Sequence, residues 1–191
     1  MSRSPRFFLT PWGRRCARAV APWVAAALCS PLAHAALKVG DSAPAFTTQA
    51  AVAGKAFDFD MAAALRQGPV VLYFFPKAFT QGCTLEAHAF AEATPRFKAM
   101  GATVVGMSHD DIATLKRFST EACRDQFAVA SDPQAQTIRA YDASAAANPQ
   151  RADRISYVIG QDGKVRFVHE GPDPDEHVQK TEAAVKRLTG R

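Results

Sequence analysis

No stretch of this 191-residue chain reaches the roughly 20 consecutive apolar residues that span a bilayer as a helix. The nearest approach, Ala19 to Leu28, is far shorter. Cysteine is scarce, with four residues in all, and neither a Cys-x-x-Cys nor a His-x-x-x-His set occurs. That removes the usual ligand spacings of a structural zinc site and the paired-thiol turn of dithiol oxidoreductases. Internal repeats, low-complexity segments and long linkers are absent too, and the length suits one ordinary domain with a single core.

The first 35 residues differ from the rest. Arg3, Arg6, Arg14, Arg15 and Arg18 precede the apolar stretch, and Pro31-Leu32-Ala33-His34-Ala35 follows it. A basic region, a short apolar region and an Ala-x-Ala site make residues 1–35 a secretory signal peptide cleaved after Ala35, with a mature domain over 36–191. The expected location is periplasmic or secreted. Arg14-Arg15 also admits a twin-arginine signal, although Cys16-Ala17-Arg18 lacks the usual apolar residues after the pair. Cys29 as a lipidation site is disfavoured by the bulk of Leu28 before it. The five leader arginines account for the whole formal net charge of +5, leaving 18 basic and 18 acidic residues in the mature chain. A balanced chain has no electrostatic basis for holding nucleic acid or a membrane surface. Cys16 and Cys29 leave with the leader, so Cys83 and Cys123 are the mature thiols, able to pair structurally or during turnover in an oxidising compartment.

A short opening segment, 37–46, leads to a hairpin over 46–59 with Gly54-Lys55 in its middle. Asp60 caps a helix over 61–67, which Gly68-Pro69 stops. Val70-Val71-Leu72-Tyr73-Phe74-Phe75 is a continuous apolar run, the pattern of a strand buried on both faces. From Cys83 to Met100 the spacing becomes helical, with Phe90, Ala93, Phe97 and Met100 on one face, Gly101 as the stop and Pro95 kinking the helix or freeing a carbonyl. A second buried strand over 103–107, a helix from Asp110 or Asp111 to about Glu121, a strand over 127–130 and a helix over 132–141 follow. Strands over 155–159 and 165–169 join through Gln161-Asp162-Gly163-Lys164, a tight-turn signal. The closing helix shows Val178, Thr181, Val185 and Leu188 on its apolar face. This order describes an α/β, thioredoxin-like fold with a central mixed sheet flanked by helices, a scaffold that does not by itself fix a function.

The informative segment is Pro76-Lys77-Ala78-Phe79-Thr80-Gln81-Gly82-Cys83, from the end of the central strand to the start of a helix. That crevice beyond the carboxyl ends of the strands is where ligands bind in open α/β sheets. Free N–H groups and the positive end of the helix dipole at Cys83 stabilise a thiolate, the nucleophilic form of cysteine. The bland alternative is a buried cysteine with no role beyond packing.

Pro76, Thr80 and Cys83 match the Pro-x-x-x-Thr-x-x-Cys signature of the peroxiredoxins, which the chain resembles from Gly40-Asp41-x-Ala43-Pro44-x-Phe46 to the Asp-Gly hairpin. The flanking Val71-Leu72-Tyr73-Phe74-Phe75-Pro76-Lys77 and Gly82-Cys83-Thr84-Leu85-Glu86-Ala87 resemble the bacterioferritin-comigratory-protein (peroxiredoxin Q) branch. The resemblance implies a thiol peroxidase acting on hydrogen peroxide and organic hydroperoxides without metal, haem or other cofactor, as a monomer served by a thioredoxin-like protein or small thiol. It implies that Thr80 and the N–H groups around Gly82 and Cys83 bind the peroxide and that Pro76 shields the thiolate. It places Arg154, just before Ile155-Ser156-Tyr157-Val158-Ile159, beside the thiolate and the peroxide oxygens, with Glu86 orienting an arginine. An exposed arginine beside a strand and an exposed first-turn acid are the plainer alternatives for these two residues.

The chain departs from many members of that branch five residues after Cys83, where His88 stands in place of a resolving cysteine. Cys123, forty residues after Cys83, resembles the other resolving position of the branch and implies a Cys83–Cys123 disulfide, reached once the first helical turn at Cys83 unwinds. An inert helical thiol is the alternative. His88 and Cys83 alone make no metal site, and His109 belongs to a helix start. Two other functions compete. A thiol–disulfide oxidoreductase is disfavoured by Thr80 at the place of a first cysteine and by Arg154 at the head of the later strand. A non-catalytic redox sensor would use the same thiol.

Overall fold

The computed structural model describes residues 36–190, so the leader, residues 1–35, and its cleavage lie outside the described residues. The chain forms, in order, β1 (Thr47–Val52), β2 (Lys55–Asp60), α1 (Met61–Gln67), β3 (Val70–Phe74), α2 (Gln81–Ala99), β4 (Thr103–Ser108) and α3 (Ile112–Glu121). It continues through β5 (Ala128–Ser131), α4 (Gln136–Ala140), β6 (Ser144–Ala145), β7 (Asn148–Ala152), β8 (Ile155–Ile159), β9 (Val165–Glu170) and α5 (Pro174–Thr189). Seven strands make one mixed sheet in the order β2-β1-β5-β4-β3-β8-β9, and β6 and β7 make a separate pair.

Side-chain alternation along β3 sets the layers, because successive residues of a strand point to opposite faces. Val71, Tyr73 and Phe75 enter one core with Phe90 and Phe97 of α2, Leu115 and Phe118 of α3, and Val178 and Val185 of α5. Val70, Leu72 and Phe74 enter the other, with Met61 and Leu65 of α1 and Ile138 of α4. β3 runs parallel to β4 and antiparallel to β8, so every residue of the strand is covered on both faces and paired on both edges. The Tyr73 ring stacks on Phe90 at 4.4 Å between centroids. Gly106, its partner on β4, makes this possible, since a Cβ there would stand 2.7 Å from the Tyr73 ring. Burying each such large side chain contributes about 1.5–3 kcal/mol.

The expected hairpin, the Asp60 cap, the central strand and the turn at Gln161-Asp162-Gly163-Lys164 all form. Asp60 Oδ1 accepts from the backbone of Ala62 at 2.8 Å. α2 runs unbroken through Pro95, which lacks the N–H that would bond the Ala91 carbonyl. Two expectations change, and one pair of strands is unanticipated. The helix over 132–141 shrinks to Gln136–Ala140, because Asp132 turns its carboxylate onto the N–H groups of Gln136 and Ile138, and Ala135 adopts a left-handed φ of 52°. Leu188 is 38% exposed, and the buried face of α5 is His177, Val178, Thr181, Ala184 and Val185. The β6–β7 pair, built from Ser, Ala, Asn, Pro, Gln and Arg, has no strand signature in the sequence. Among the described residues no helix is long and apolar enough to cross a membrane.

Candidate active site

The segment after β3 is anchored rather than loose. Asp110, beyond the end of β4, accepts from the backbone N–H of Ala78 at 2.7 Å and from Ser108 Oγ at 2.8 Å, while its own carbonyl accepts from Ser131 Oγ at 2.7 Å. One aspartate thus ties the segment to the ends of β4 and β5. Its neighbour Asp111 is the N-cap of α3, accepting from Thr114 N–H at 2.8 Å. Phe79 takes a left-handed φ of 64°, a conformation that costs an L residue on the order of 1–3 kcal/mol. Its ring meets the edge of Phe118 at 5.2 Å, with the Arg117 guanidinium 5.2 Å above it.

Thr80 is the N-cap of α2 but makes no side-chain cap, because its hydroxyl donates to the Lys77 carbonyl at 3.0 Å. The first intrahelical bond from this end runs from Thr84 N–H to the Thr80 carbonyl, so the N–H groups of Gln81, Gly82 and Cys83 have no acceptor within the helix. Cys83 lies in that first turn, 2% exposed. Arg154, at the head of β8, brings Nη2 to 3.7 Å from Cys83 Sγ and pairs through Nη1 with Glu86 Oε2. Glu86 is fully buried, one helical turn after Cys83, so the exposed-acid alternative does not hold. Burial pushes its carboxyl up to about 8, against the opposing charge of Arg154. Gly82 leaves room for the guanidinium, since a Cβ there would lie 3.1 Å from Arg154 Nη2. Beside Arg154 a cavity of about 380 Å³ is lined by Pro76, Ile155, Glu170 and Gly171 among others.

Cys123 stands just past α3, its N–H bonded to the Phe118 carbonyl at 3.0 Å. It is fully buried in the same core as Cys83, and both thiols are free. Burial, with Asp125 second, pushes its thiol well above the ordinary cysteine range. Tyr73 Oη is buried and has no hydrogen-bond partner, and burial above all holds its hydroxyl well above the ordinary tyrosine value.

Residues 39–168 of this chain match the AhpC/TSA family. The chain belongs to that family of peroxiredoxins. It is 31% identical over 121 residues to the chloroplastic peroxiredoxin Q of Triticum aestivum, a match covering 63% of this chain and 55% of that protein. The chloroplastic peroxiredoxin Q of Populus jackii is 33% identical over 114 residues, covering 59% and 53%. The chain therefore spans about half the length of the curated relatives it matches. Among solved structures, the peroxidoxin BcpB of Mycobacterium tuberculosis superposes with a TM-score of 0.72 at 28% identity, covering 80% of this chain and 98% of that one. Mycobacterium tuberculosis AhpC has the same fold, with a TM-score of 0.71 at 20% identity over 81% and 94%.

In this peroxiredoxin the fold brings Pro76, Thr80, Gly82, Cys83, Glu86 and Arg154 to one end of the sheet and leaves Cys123 in the core beneath. His88 is a half-buried residue of α2, and His109 lies in the bend before α3. Among the described residues no cluster of three or more His, Cys, Asp or Glu side chains is arranged to hold a metal ion. Sequence reasoning missed Asp110 and, behind Glu86, the pair Ser156 and His177. His177 left a signal, since it stands on the stripe of Thr181 and Val185, where a polar ring needs a buried partner.

Proposed function

We propose that the chain is a thiol peroxidase in which Cys83 reduces hydrogen peroxide and organic hydroperoxides. The observation that carries this reading is Cys83 Sγ in the first turn of α2, 3.7 Å from Arg154 Nη2 and beside N–H groups free of intrahelical acceptors. The thiolate attacks one peroxide oxygen and the O–O bond breaks. Its electron pair leaves on the other oxygen, which takes up the proton that Cys83 released. Cys83 becomes a sulfenic acid, and water or an alcohol departs. Arg154 and the N–H groups of Gly82 and Cys83 hold the oxygens in line and meet the charge developing on the leaving one. Pro76, half-buried at the end of β3, screens the thiolate from bulk water.

The thiolate of Cys123 then attacks the sulfenic sulfur and expels its oxygen as water, leaving a Cys83–Cys123 disulfide. A thiol reductant, either a thioredoxin-like protein or two equivalents of a small thiol, returns two electrons by exchange. Both thiols are buried, so the first turn of α2 and the turn around Cys123 open for this step. The leader adds export to the periplasm or beyond, and N-terminal sequencing of the exported protein should begin at Ala36.

The test is the intact mass of the reduced protein after one equivalent of hydrogen peroxide. Loss of two hydrogens supports the two-cysteine cycle. Addition of one oxygen at Cys83 keeps the peroxidase and moves resolution to an outside thiol. An unchanged mass sinks the proposal.

A further inference from the structure

The segment that leads to the reactive thiol is held to the rest of the fold at few points. Phe75 N–H makes the last sheet bond, to the Met107 carbonyl at 3.0 Å, and Thr84 N–H makes the first helical one, to the Thr80 carbonyl at 2.9 Å. Among the described residues, one hydrogen bond ties the backbone between them to another part of the chain, from Ala78 N–H to Asp110 Oδ2 at 2.7 Å. A carboxylate is a strong acceptor, and this one is itself fixed. Its Oδ2 also accepts from Ser108 Oγ at 2.8 Å, the Asp110 N–H donates to Ser108 Oγ at 3.2 Å, and the Asp110 carbonyl accepts from Ser131 Oγ at 2.7 Å. Phe79 follows Ala78 at once with its φ of 64°, a conformation that persists only where the surroundings impose it. Those surroundings are the Asp110 bond on one side and α3 on the other, where the Phe79 ring meets Phe118 and Arg117.

The same helix leads to the second thiol. α3 begins at the Asp111 cap, next to Asp110, and Cys123 stands two residues past its end. Phe118 touches both segments, because its ring meets Phe79 at 5.2 Å while its carbonyl accepts from Cys123 N–H at 3.0 Å. We propose that Asp110 is the latch of the Cys83 segment, a positioning residue whose bond to Ala78 keeps the first turn of α2 closed. Phe118 couples that segment to the Cys123 turn, so that releasing the latch loosens both. Oxidation uses the closed form, in which Cys83 Sγ is 3.7 Å from Arg154 Nη2. Disulfide formation uses the open form, since both thiols are buried in the closed one. The strength of the latch therefore sets how long the sulfenic acid waits for Cys123 while a second peroxide can reach it.

This inference rests on the peroxidase reading for the two steps it separates. The test measures both rates in the whole protein by quenched-flow mass spectrometry, with each modified cysteine located by peptide mass. Losing a hydrogen bond to a carboxylate should raise a small open population about tenfold and leave the closed form in the majority. Asp110→Ala should therefore keep the second-order oxidation of Cys83 by hydrogen peroxide within about twofold of wild type. Its Cys83–Cys123 disulfide should close about tenfold faster, and over-oxidation of Cys83 by excess peroxide should fall in step. Asp110→Asn keeps an uncharged acceptor for Ala78 and should close about threefold faster. A residue that only supports the site would slow oxidation and leave closure no faster, so that pattern overturns the proposal. Should Asp110→Ala not fold, Asp110→Asn decides alone, and closure at the wild-type rate overturns the latch. Alkylation of Cys123 by iodoacetamide in the reduced protein reads the opening without peroxide, and Asp110→Ala should speed it about tenfold. That acceleration in a protein that reduces no peroxide would sink the peroxidase and keep the latch. Peroxide reduction with Cys123 alkylation indifferent to Asp110 would sink the latch alone.

Discussion

Cys83 and Cys123 are both buried thiols of one core, yet they sit at opposite ends of helices. Cys83 occupies the first turn of α2, with free N–H groups around it and a guanidinium nitrogen at 3.7 Å. Cys123 follows the last turn of α3, the end where carbonyls face outward and the dipole is negative, with Asp125 close by. Burial disfavours a thiolate at Cys123, and only at Cys83 does the fold place a cation and free N–H donors beside the sulfur. The two thiols differ in helix polarity and in one charged neighbour rather than in exposure, and the proposed division between an attacking and a resolving cysteine rests on that difference.

Swapping out each thiol is the most direct way to break this comparison. Cys83→Ser should abolish peroxide consumption altogether, and peroxide consumption continuing in that variant would remove the assignment. Arg154→Ala comes next, with kcat/KM falling about 10²–10³-fold, the scale of losing one aimed donor at a developing charge. Arg154→Lys should recover only part of that, because an ammonium cannot face Cys83 and Glu86 at once. Stopped-flow measurement of the oxidation step checks both. Supplied with a thioredoxin-like reductant that cycles the wild type, Cys123→Ser should complete one turnover and stall, with an added small thiol restoring cycling. Sustained turnover of that variant on the thioredoxin-like reductant alone would make Cys123 a packing residue.

Much of this contrast is legible in the sequence, for reasons that differ by residue. β3 announces itself because a strand covered on both faces must be apolar throughout, and Cys83 because the strand-to-helix turn falls beside it. Pairing Arg154 with Cys83 across 71 residues came from the family resemblance, and the structure puts their side chains 3.7 Å apart. The burial of Glu86 was hidden, since an acid in a first helical turn ordinarily faces water. Asp110 was hidden by Asp111, which serves the nearby cap while Asp110 serves a loop 32 residues back. The true extent of α4 depended on Asp132 spending its carboxylate on two N–H groups, a choice that propensity does not register. His177 needed a partner from β8, Ser156, a contact that only tertiary packing supplies.

The subtlest difference between the two buried groups beside this site is the pH range over which each bears on stability. Burial raises both Glu86 and Cys123, so each binds its proton more tightly folded than unfolded, and stability is lost as pH rises past the unfolded value. For Glu86 that loss runs from its ordinary value of 4.5 up to about 8. For Cys123 it begins only near the ordinary thiol value of about 8.5. Glu86→Gln carries no proton to lose, so its urea midpoint relative to wild type should climb between about pH 5 and about pH 8 and then level, by an amount on the order of a few kcal/mol at most. Cys123→Ser should shift the midpoint by a constant over that same interval. A Glu86→Gln midpoint that runs parallel to wild type throughout would mean that Glu86 is ionised against Arg154 at every pH, as an ordinary ion pair.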